Sequence, residues 1–306
     1  MTRFLLTRAG GLVLTLLSIL TISFFLLRAA PGGPFDSERE VDETVRKAQE
    51  ARYRLDRPIL TQFGAYLGEL VLRADLGPSS CYPGMTVNEI LGASLPPSLA
   101  LGGLALAIAL VLGVAGGALA GGRPGSPADR VVSVLTLALI SVPNFVLGAG
   151  LLALFSLSLC ILPAGLLAGP WSLVLPALTL GLPMAAVVAR LTRAGLVETM
   201  KEDYIRTARA KGLPERRVVL VHGLRTALLP VVSFLGPAAA GVLTGSVVVE
   251  RIFALPGLGT HFVNSALNRD YSLVLGTVLL YSAMLVTLNF LSDVLLAILD
   301  PRVRSR

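Results

Sequence analysis

VVSVLTLALISVPNFVLGAGLLALFSLSLCILPAGLLAGPWSLVLPALTLGLPMAAVVA, residues 131–189, decides the fold. These 59 residues contain no Asp, Glu, Lys, Arg or His. As one helix they would extend roughly 90 Å at about 1.5 Å per residue, against a hydrocarbon core about 30 Å thick. The run therefore folds back on itself. Only helices and closed barrels satisfy their own backbone groups in lipid, so two spanning helices are predicted. The break falls between Pro163-Ala164-Gly165 and Gly169-Pro170, giving a third span over 131–155 and a fourth over 171–189, bent by Pro176 and Pro183.

Outward from that run, the same alternation repeats. The 306-residue chain is 54% hydrophobic and 15% charged, where soluble domains carry about 25% charged residues. Residues 9–27 form a 19-residue uncharged run behind Arg3 and Arg8. That is long for a signal peptide, so a retained first span is expected. The second span is read as 98–121, with Pro96 and Pro97 at its start, where a missing N–H matters little. Gly113, Gly117 and Gly121, spaced by four, offer a face for close helix packing. The fifth span is 227–249 and the sixth 271–297. Asp293 is the one clear ionisable group expected inside a span. The reading is an all-α polytopic membrane protein of six helices.

Between the spans, residues 28–97 carry 8 basic and 10 acidic residues. Residues 42–54 there are read as a charged helix, ended by Asp56-Arg57-Pro58, and the remainder as turns. Six spans with the N-terminus inside put 16 Lys and Arg in the inner segments and 10 in the outer ones. Eight of those ten lie in the long 28–97 segment, which is internally neutralised and counts weakly. The positive-inside rule thus favours both termini in the cytoplasm, and it accounts for the net charge of +7 without nucleic acid.

Several chemistries are absent. No GxxxxGK[ST] loop exists for ATP phosphates, and no GxSxG or HExxH for hydrolysis. His222 and His261 are isolated. Cys81 and Cys160 belong to no metal-binding spacing; both fall outside in this topology, where a disulfide is open to them. No catalytic residue, metal site or cofactor is assigned to this chain. Ion-driven carriers place acidic groups at mid-membrane, and the uncharged spans disfavour one here. Uphill transport would need energy from a partner.

That energy has one place to enter. The inner segment 190–225 holds nine Lys and Arg and four Asp and Glu. Within it, residues 198–212 read as a helix, acidic early and basic late as the macrodipole prefers. Gly212 supplies the stop, with Pro214 just beyond. A second helix follows from 214 or 215 to 228. Two readings stand at this point: a short helix that passes a push into the membrane, or a basic loop lying on headgroups. RNA contact is disfavoured for want of interleaved aromatics.

The loop also resembles a family. Arg206-Thr207-Ala208 followed by Gly212 keeps the second alanine and the glycine of the EAA-x3-G motif of ABC importer permeases. The run from Tyr204 through Pro214 is similar to the variant found in peptide-type permeases. So are Leu228-Leu229-Pro230, Gly236-Pro237, Thr244-Gly245-Ser246, Leu255-Pro256-Gly257-Leu258-Gly259, residues 266–272, Asp300-Pro301-Arg302, Thr21-Ile22-Ser23-Phe24-Phe25 and Arg28-Ala29-Ala30-Pro31-Gly32. The resemblance runs nearly end to end and is to the B-type permeases of oligopeptide importers. Residues 39–54 and Cys81-Tyr82-Pro83-Gly84 depart most from the pattern.

The resemblance implies a type I ABC importer permease fold in the bacterial cytoplasmic membrane. It implies a homologous C-type permease as heterodimer partner, two ATPase subunits that bind ATP and Mg, and an extracytoplasmic peptide-binding protein. Dipeptides, nickel complexes and other small solutes are carried by relatives of the same build. Coupling to the ATPases would fall on Asp203, Tyr204, Ile205, Arg206, Thr207, Ala208, Arg209, Lys211 and Gly212. Thr244, Ser246 and Asn289 are the polar residues expected along the pathway. The implied organisation is a first span over 1–30, an extracytoplasmic segment over 31–97, a core over 98–299 containing the loop 190–229, and a tail over 300–306.

Overall fold

The computed structural model describes residues 2–30, 56–167 and 169–299. Regular structure among them is helical, apart from one isolated bridge between Pro78 and Thr86. The helices are α1 (Thr2–Ala29), α2 (Ile59–Arg73), α3 (Val87–Gly122), α4 (Pro127–Ser141) and α5 (Asn144–Leu151), the last continuing as a π-helical turn, Leu152–Ser158. After a 3-10 turn, Pro170–Leu173, come α6 (Val174–Thr199) and α7 (Asp203–Ala210). Then follow α8 (Glu215–Arg217), a π-helical turn Val218–Gly223, α9 (Leu224–Ala227), α10 (Leu229–Ile252), α11 (Leu258–Leu267) and α12 (Tyr271–Leu299).

Among the described residues, five helices are long and apolar enough to cross a membrane: Arg8–Ala29, Val87–Gly122, Trp171–Thr199, Leu229–Ile252 and Tyr271–Leu296. Pro127–Ser141 and Asn144–Ser158 meet at 105° and make a sixth crossing if the pair is one broken span rather than a re-entrant loop. The expected third span, 131–155, is thus not one straight helix. Pro143 has no N–H to donate and pushes the preceding residue out of the helical region. Val142 accordingly sits extended, at φ −88° and ψ 125°.

Helix boundaries differ from expectation elsewhere too: the fourth span, read as 171–189, continues as one helix to Thr199. The second span begins at Val87, ten residues before Pro97. Its start is a capping box: the Thr86 N–H donates to the Glu89 carboxylate at 2.9 Å, and the Glu89 N–H donates back to the Thr86 hydroxyl at 3.3 Å. Buried Ile90, Leu91 and Leu101 flank the two prolines and hold the helix through them. Residues 59–73, read as part of a turn-rich segment, form α2 instead. Phe63, Tyr66 and Leu70 recur at helical spacing there, and Pro58 occupies the position before the first turn. The expected helix over 42–54 lies outside the described residues.

The contacts divide the chain into two compact units. The larger comprises Met1–Ala9, Pro97–Pro256 and Met284–Arg306. Its core gathers Leu101, Ala105, Leu175, Leu180, Val242, Val249 and Phe253 from α3, α6 and α10. The glycine face of α3 packs on α6 as the spacing predicts. A Cβ placed on Gly113 would lie 2.6 Å from Val188 Cβ, and one on Gly117 would lie 2.5 Å from the Ala189 carbonyl oxygen. The connection before α6 docks on the end of α10, where the Leu166 N–H donates to the Phe253 carbonyl at 3.1 Å. Gly165 lies so close to that carbonyl that a Cβ would overlap it.

Three polar contacts join helices of this unit. Arg193 of α6 grips Asp129 of α4 with two nitrogens, at 2.5 and 2.9 Å. Ser126 and Pro127 begin α4, and the Asp129 N–H donates to the Ser126 hydroxyl, so the helix start aims the carboxylate. The Ser98 hydroxyl of α3 donates to fully buried Glu250 of α10 at 2.7 Å. Arg8 of α1 pairs with Asp293 of α12 at 2.9 Å. Asp293 is therefore not the only ionisable group within the spanning helices. Glu250 falls inside one because α10 runs to Ile252, three residues beyond the expected end.

The smaller unit comprises Gly10–Pro96 and Gly257–Ala283. Phe24 of α1 is completely buried, with the Phe63 ring of α2 edge-on at 5.1 Å. The Arg28 guanidinium lies 3.8 Å above the Phe24 ring and donates to Gln62 at 2.7 Å. Asp270, also fully buried, precedes α12. It accepts the Leu273 N–H at 3.1 Å through one oxygen, and the Ser79 hydroxyl and the Ser80 and Cys81 N–H groups at 2.5, 3.0 and 3.1 Å through the other. One side chain thus starts a helix and ties down the 79–81 turn.

Candidate functional site

α7 forms inside the stretch 198–212 read as one helix, but Glu198 and Thr199 close α6 and residues 200–202 turn between the two helices. Asp203 stands in the first turn of α7 and Arg209 in its last, each favourable to the helix dipole. Its end is a full Schellman motif. The Gly212 N–H donates to the Arg209 carbonyl at 2.9 Å, and the Leu213 N–H reaches back to Ala208 at 3.4 Å. Gly212 takes φ +74°, a left-handed conformation open to glycine at little cost. Leu213 then packs against the cluster containing Ala208, completing the motif.

One face of α7 is buried and the other is free. Ile205 and Ala208, three residues apart, join Val218, Met200 and Leu213 in a small apolar cluster, and Ile205 is fully covered. Asp203, Tyr204, Arg206, Thr207, Arg209, Lys211 and Gly212 are all exposed. The sequence-assigned residues therefore share one eight-residue helix and its cap, split between an anchoring side and a presenting side.

Side chains brace the helix from outside. The Tyr204 hydroxyl donates to Thr226 at 3.1 Å. Arg209 forks onto Glu215, with Nη2 to Oε1 at 2.6 Å and Nε to Oε2 at 3.1 Å. These hydrogen bonds hold the Glu215 carboxyl below its ordinary range and raise the Arg209 guanidinium above its own. Both groups sit largely in water, so the pair contributes geometry more than stability. Arg206 leans on Asp203 at 3.2 Å, fully exposed to screening.

The segment after α7 returns to the spanning helices. It is not the single helix expected over 215–228 but three pieces, α8, the π-helical turn and α9. The widened turn lets the chain follow α6 closely. A Cβ on Gly195 would lie 2.5 Å from the Ala227 carbonyl oxygen, and one on Gly223 would lie 2.9 Å from Leu196. α7 thus sits between the end of α6 and the segment that packs on α6 and leads into α10.

The residues expected along a pathway lie elsewhere. Thr244 and Ser246 are on α10 and Asn289 on α12. The Thr244 side chain lies outside the described residues. Ser246 is buried, and its hydroxyl donates to Leu243 of the same helix at 2.6 Å. Asn289 is half-buried where Gly236 approaches it so closely that a Cβ would overlap its Oδ1. Both cysteines are unpaired. Cys81 is half-buried, and burial together with the Asp270 carboxylate pushes its thiol up.

Residues 110–305, which include α7 and its supports, match the family model of the binding-protein-dependent transport system inner membrane component. The chain belongs to this family. The oligopeptide transport system permease protein OppB of Escherichia coli (strain K12) is 43% identical over 310 residues, 99% of this chain and 100% of the relative. The dipeptide permease DppB of Bacillus subtilis (strain 168) is 40% identical, over 99% and 98%. Among solved structures, an inward-facing form of the MetNI methionine ABC transporter matches at TM-score 0.56 and 20% identity, covering 69% of this chain and 97% of that one. An amino acid ABC transporter matches at TM-score 0.52 and 18% identity, over 70% and 94%. At such identities the likeness is one of fold, and the fold is that of ABC importer permeases. The chain is accordingly a multi-pass membrane protein of the permease type.

Proposed function

We propose that this chain is the B-type translocation subunit of an ATP-driven importer in a bacterial cytoplasmic membrane. It carries oligopeptides handed over by an extracytoplasmic binding protein. A homologous C-type permease completes the pathway, and two separate ATPase subunits bind ATP and Mg. Hydrolysis occurs in those subunits, since this chain has no phosphate loop. The 43% identity to an oligopeptide permease over the whole chain supports the cargo class.

The coupling element is α7 with its cap. The observation that carries this is the division of the helix into a buried anchor, Ile205 and Ala208, and an exposed polar face. An ATPase cleft closing on that face would move α7, and the close contacts at Gly195 and Gly223 would pass the movement to α6 and α10.

Gly212 provides the test. A Cβ there meets nothing within 4 Å, so substitution acts through conformation alone. Left-handed φ costs an ordinary L-residue roughly 1–2 kcal/mol, and asparagine less. In the co-expressed complex, Gly212→Val is expected to lower peptide uptake about tenfold or more while ATP hydrolysis continues and membrane abundance holds. Gly212→Asn should retain most uptake. Unchanged uptake in Gly212→Val would remove the coupling role.

A further inference from the structure

A groove of about 820 Å³ opens between the end of α3 and the segment after α7. Ala115 and Leu119 of α3 line one wall, and Val219 and Leu220 of the π-helical turn line the other. Leu119 is 66% exposed and Leu220 46%. Arg123 and Arg216 stand at the groove as its basic groups. Glu215 is there too, but Arg209 already engages both of its oxygens. Neither the Arg123 nor the Arg216 guanidinium makes a hydrogen bond or ion pair among the described residues, although the Arg123 charge helps to hold the Glu215 carboxyl below its ordinary range. The groove therefore joins an apolar trough to two guanidinium groups that make no direct side-chain hydrogen bond.

We propose that the groove binds one anionic phospholipid. An acyl chain lies along Leu119, Val219 and Leu220, and the phosphate meets Arg123 and Arg216. The groove lies within the range of small-molecule sites, about 300–1,000 Å³. The last two turns of α3 are uncharged and belong to a spanning helix, Val87–Gly122, so this wall lies against acyl chains. Arg123 follows directly, at the level where headgroups begin. Guanidinium forks match phosphate oxygens in pairs. Basic pockets between spanning helices on the cytoplasmic side select anionic headgroups. An exposed apolar wall alone would meet bulk lipid; the two arginines make the site headgroup-selective. The inference rests on the membrane-spanning fold and the inward placement of this loop, and is independent of whether α7 couples to an ATPase.

The test uses the full-length chain in its co-expressed complex, reconstituted into nanodiscs of phosphatidylcholine with phosphatidylglycerol as the probe. A photo-crosslinking residue replaces Leu220, and adducts are read by mass. Lipid adducts are expected, with phosphatidylglycerol favoured over phosphatidylcholine roughly thirtyfold at equal mole fraction, each arginine contributing about 1 kcal/mol, roughly a fivefold factor. Arg123→Gln combined with Arg216→Gln should bring the ratio close to one while lipid labelling persists. Should the double variant fail to accumulate, each single variant is expected to show about a fivefold ratio. Labelling of a polypeptide instead of lipid would assign the groove to a protein partner and overturn the proposal. So would a ratio that survives loss of the arginines undiminished, or no headgroup preference while both arginines are present.

Discussion

Gly117→Leu is expected to prevent accumulation of folded protein, and Gly117→Ala to lower stability by about 2–3 kcal/mol or more. The reason lies in the α3–α6 contact. An added Cβ meets the Ala189 carbonyl oxygen and the Thr192 Cβ, both at 2.5 Å. Neither is the free end of a flexible side chain, so the helices must separate. Gly113 and Gly121 flank the site on the same face, with a Cβ at 2.6 Å from Val188 and at 3.0 Å from Leu196. Separation at Gly117 therefore loosens contacts along several turns. Thermal unfolding in detergent, followed by loss of monodisperse protein, measures the effect. By contrast, Gly103→Ala is expected to be nearly neutral, since a Cβ there meets nothing within 4 Å. Equal stability of Gly117→Leu and the parent would show that α3 and α6 do not pack this closely.

Asp270→Ala is expected to cost roughly 3–5 kcal/mol, concentrated in the smaller unit. Removing the carboxylate leaves the Ser80, Cys81 and Leu273 N–H groups and the Ser79 hydroxyl without their acceptor. Asp270→Asn retains one carbonyl oxygen and should lose about half as much. The measurable sign is faster alkylation of Cys81, since the turn that half-buries this thiol is held by Asp270. An alkylation rate unchanged in Asp270→Ala would refute the tethering role.

Much of the 203–214 segment was legible because it obeys local rules. Asp203 early, Arg209 late, a glycine stop and a following proline act over one or two turns, and the chain folds as they specify. The glycine face of α3 was legible too, because a four-residue period places small side chains on one stripe whatever partner arrives. The capping box at Thr86 and Glu89 was also present in the sequence. The reading started the second span after Pro96-Pro97, whereas the helix runs through both prolines.

Other features depend on residues distant in the chain. Glu250 and Ser98 meet across 152 positions, Arg193 and Asp129 across 64, and Asp270 and Ser79 across 191. Read singly, each is an ordinary loop or helix-end charge. The 105° turn between α4 and α5 is intermediate. Val142-Pro143 announces a break, but its angle is set by what each half packs against.

For this protein, hydropathy alone determined that the chain crosses the membrane several times, because unsatisfied backbone groups in lipid leave few choices. Charge placement then singled out the 190–225 loop. Tertiary structure decided which groups are buried and paired, how the third crossing bends, and which face of α7 is anchored. Those outcomes rest on close approach between segments far apart in sequence, and local propensity cannot encode such an approach.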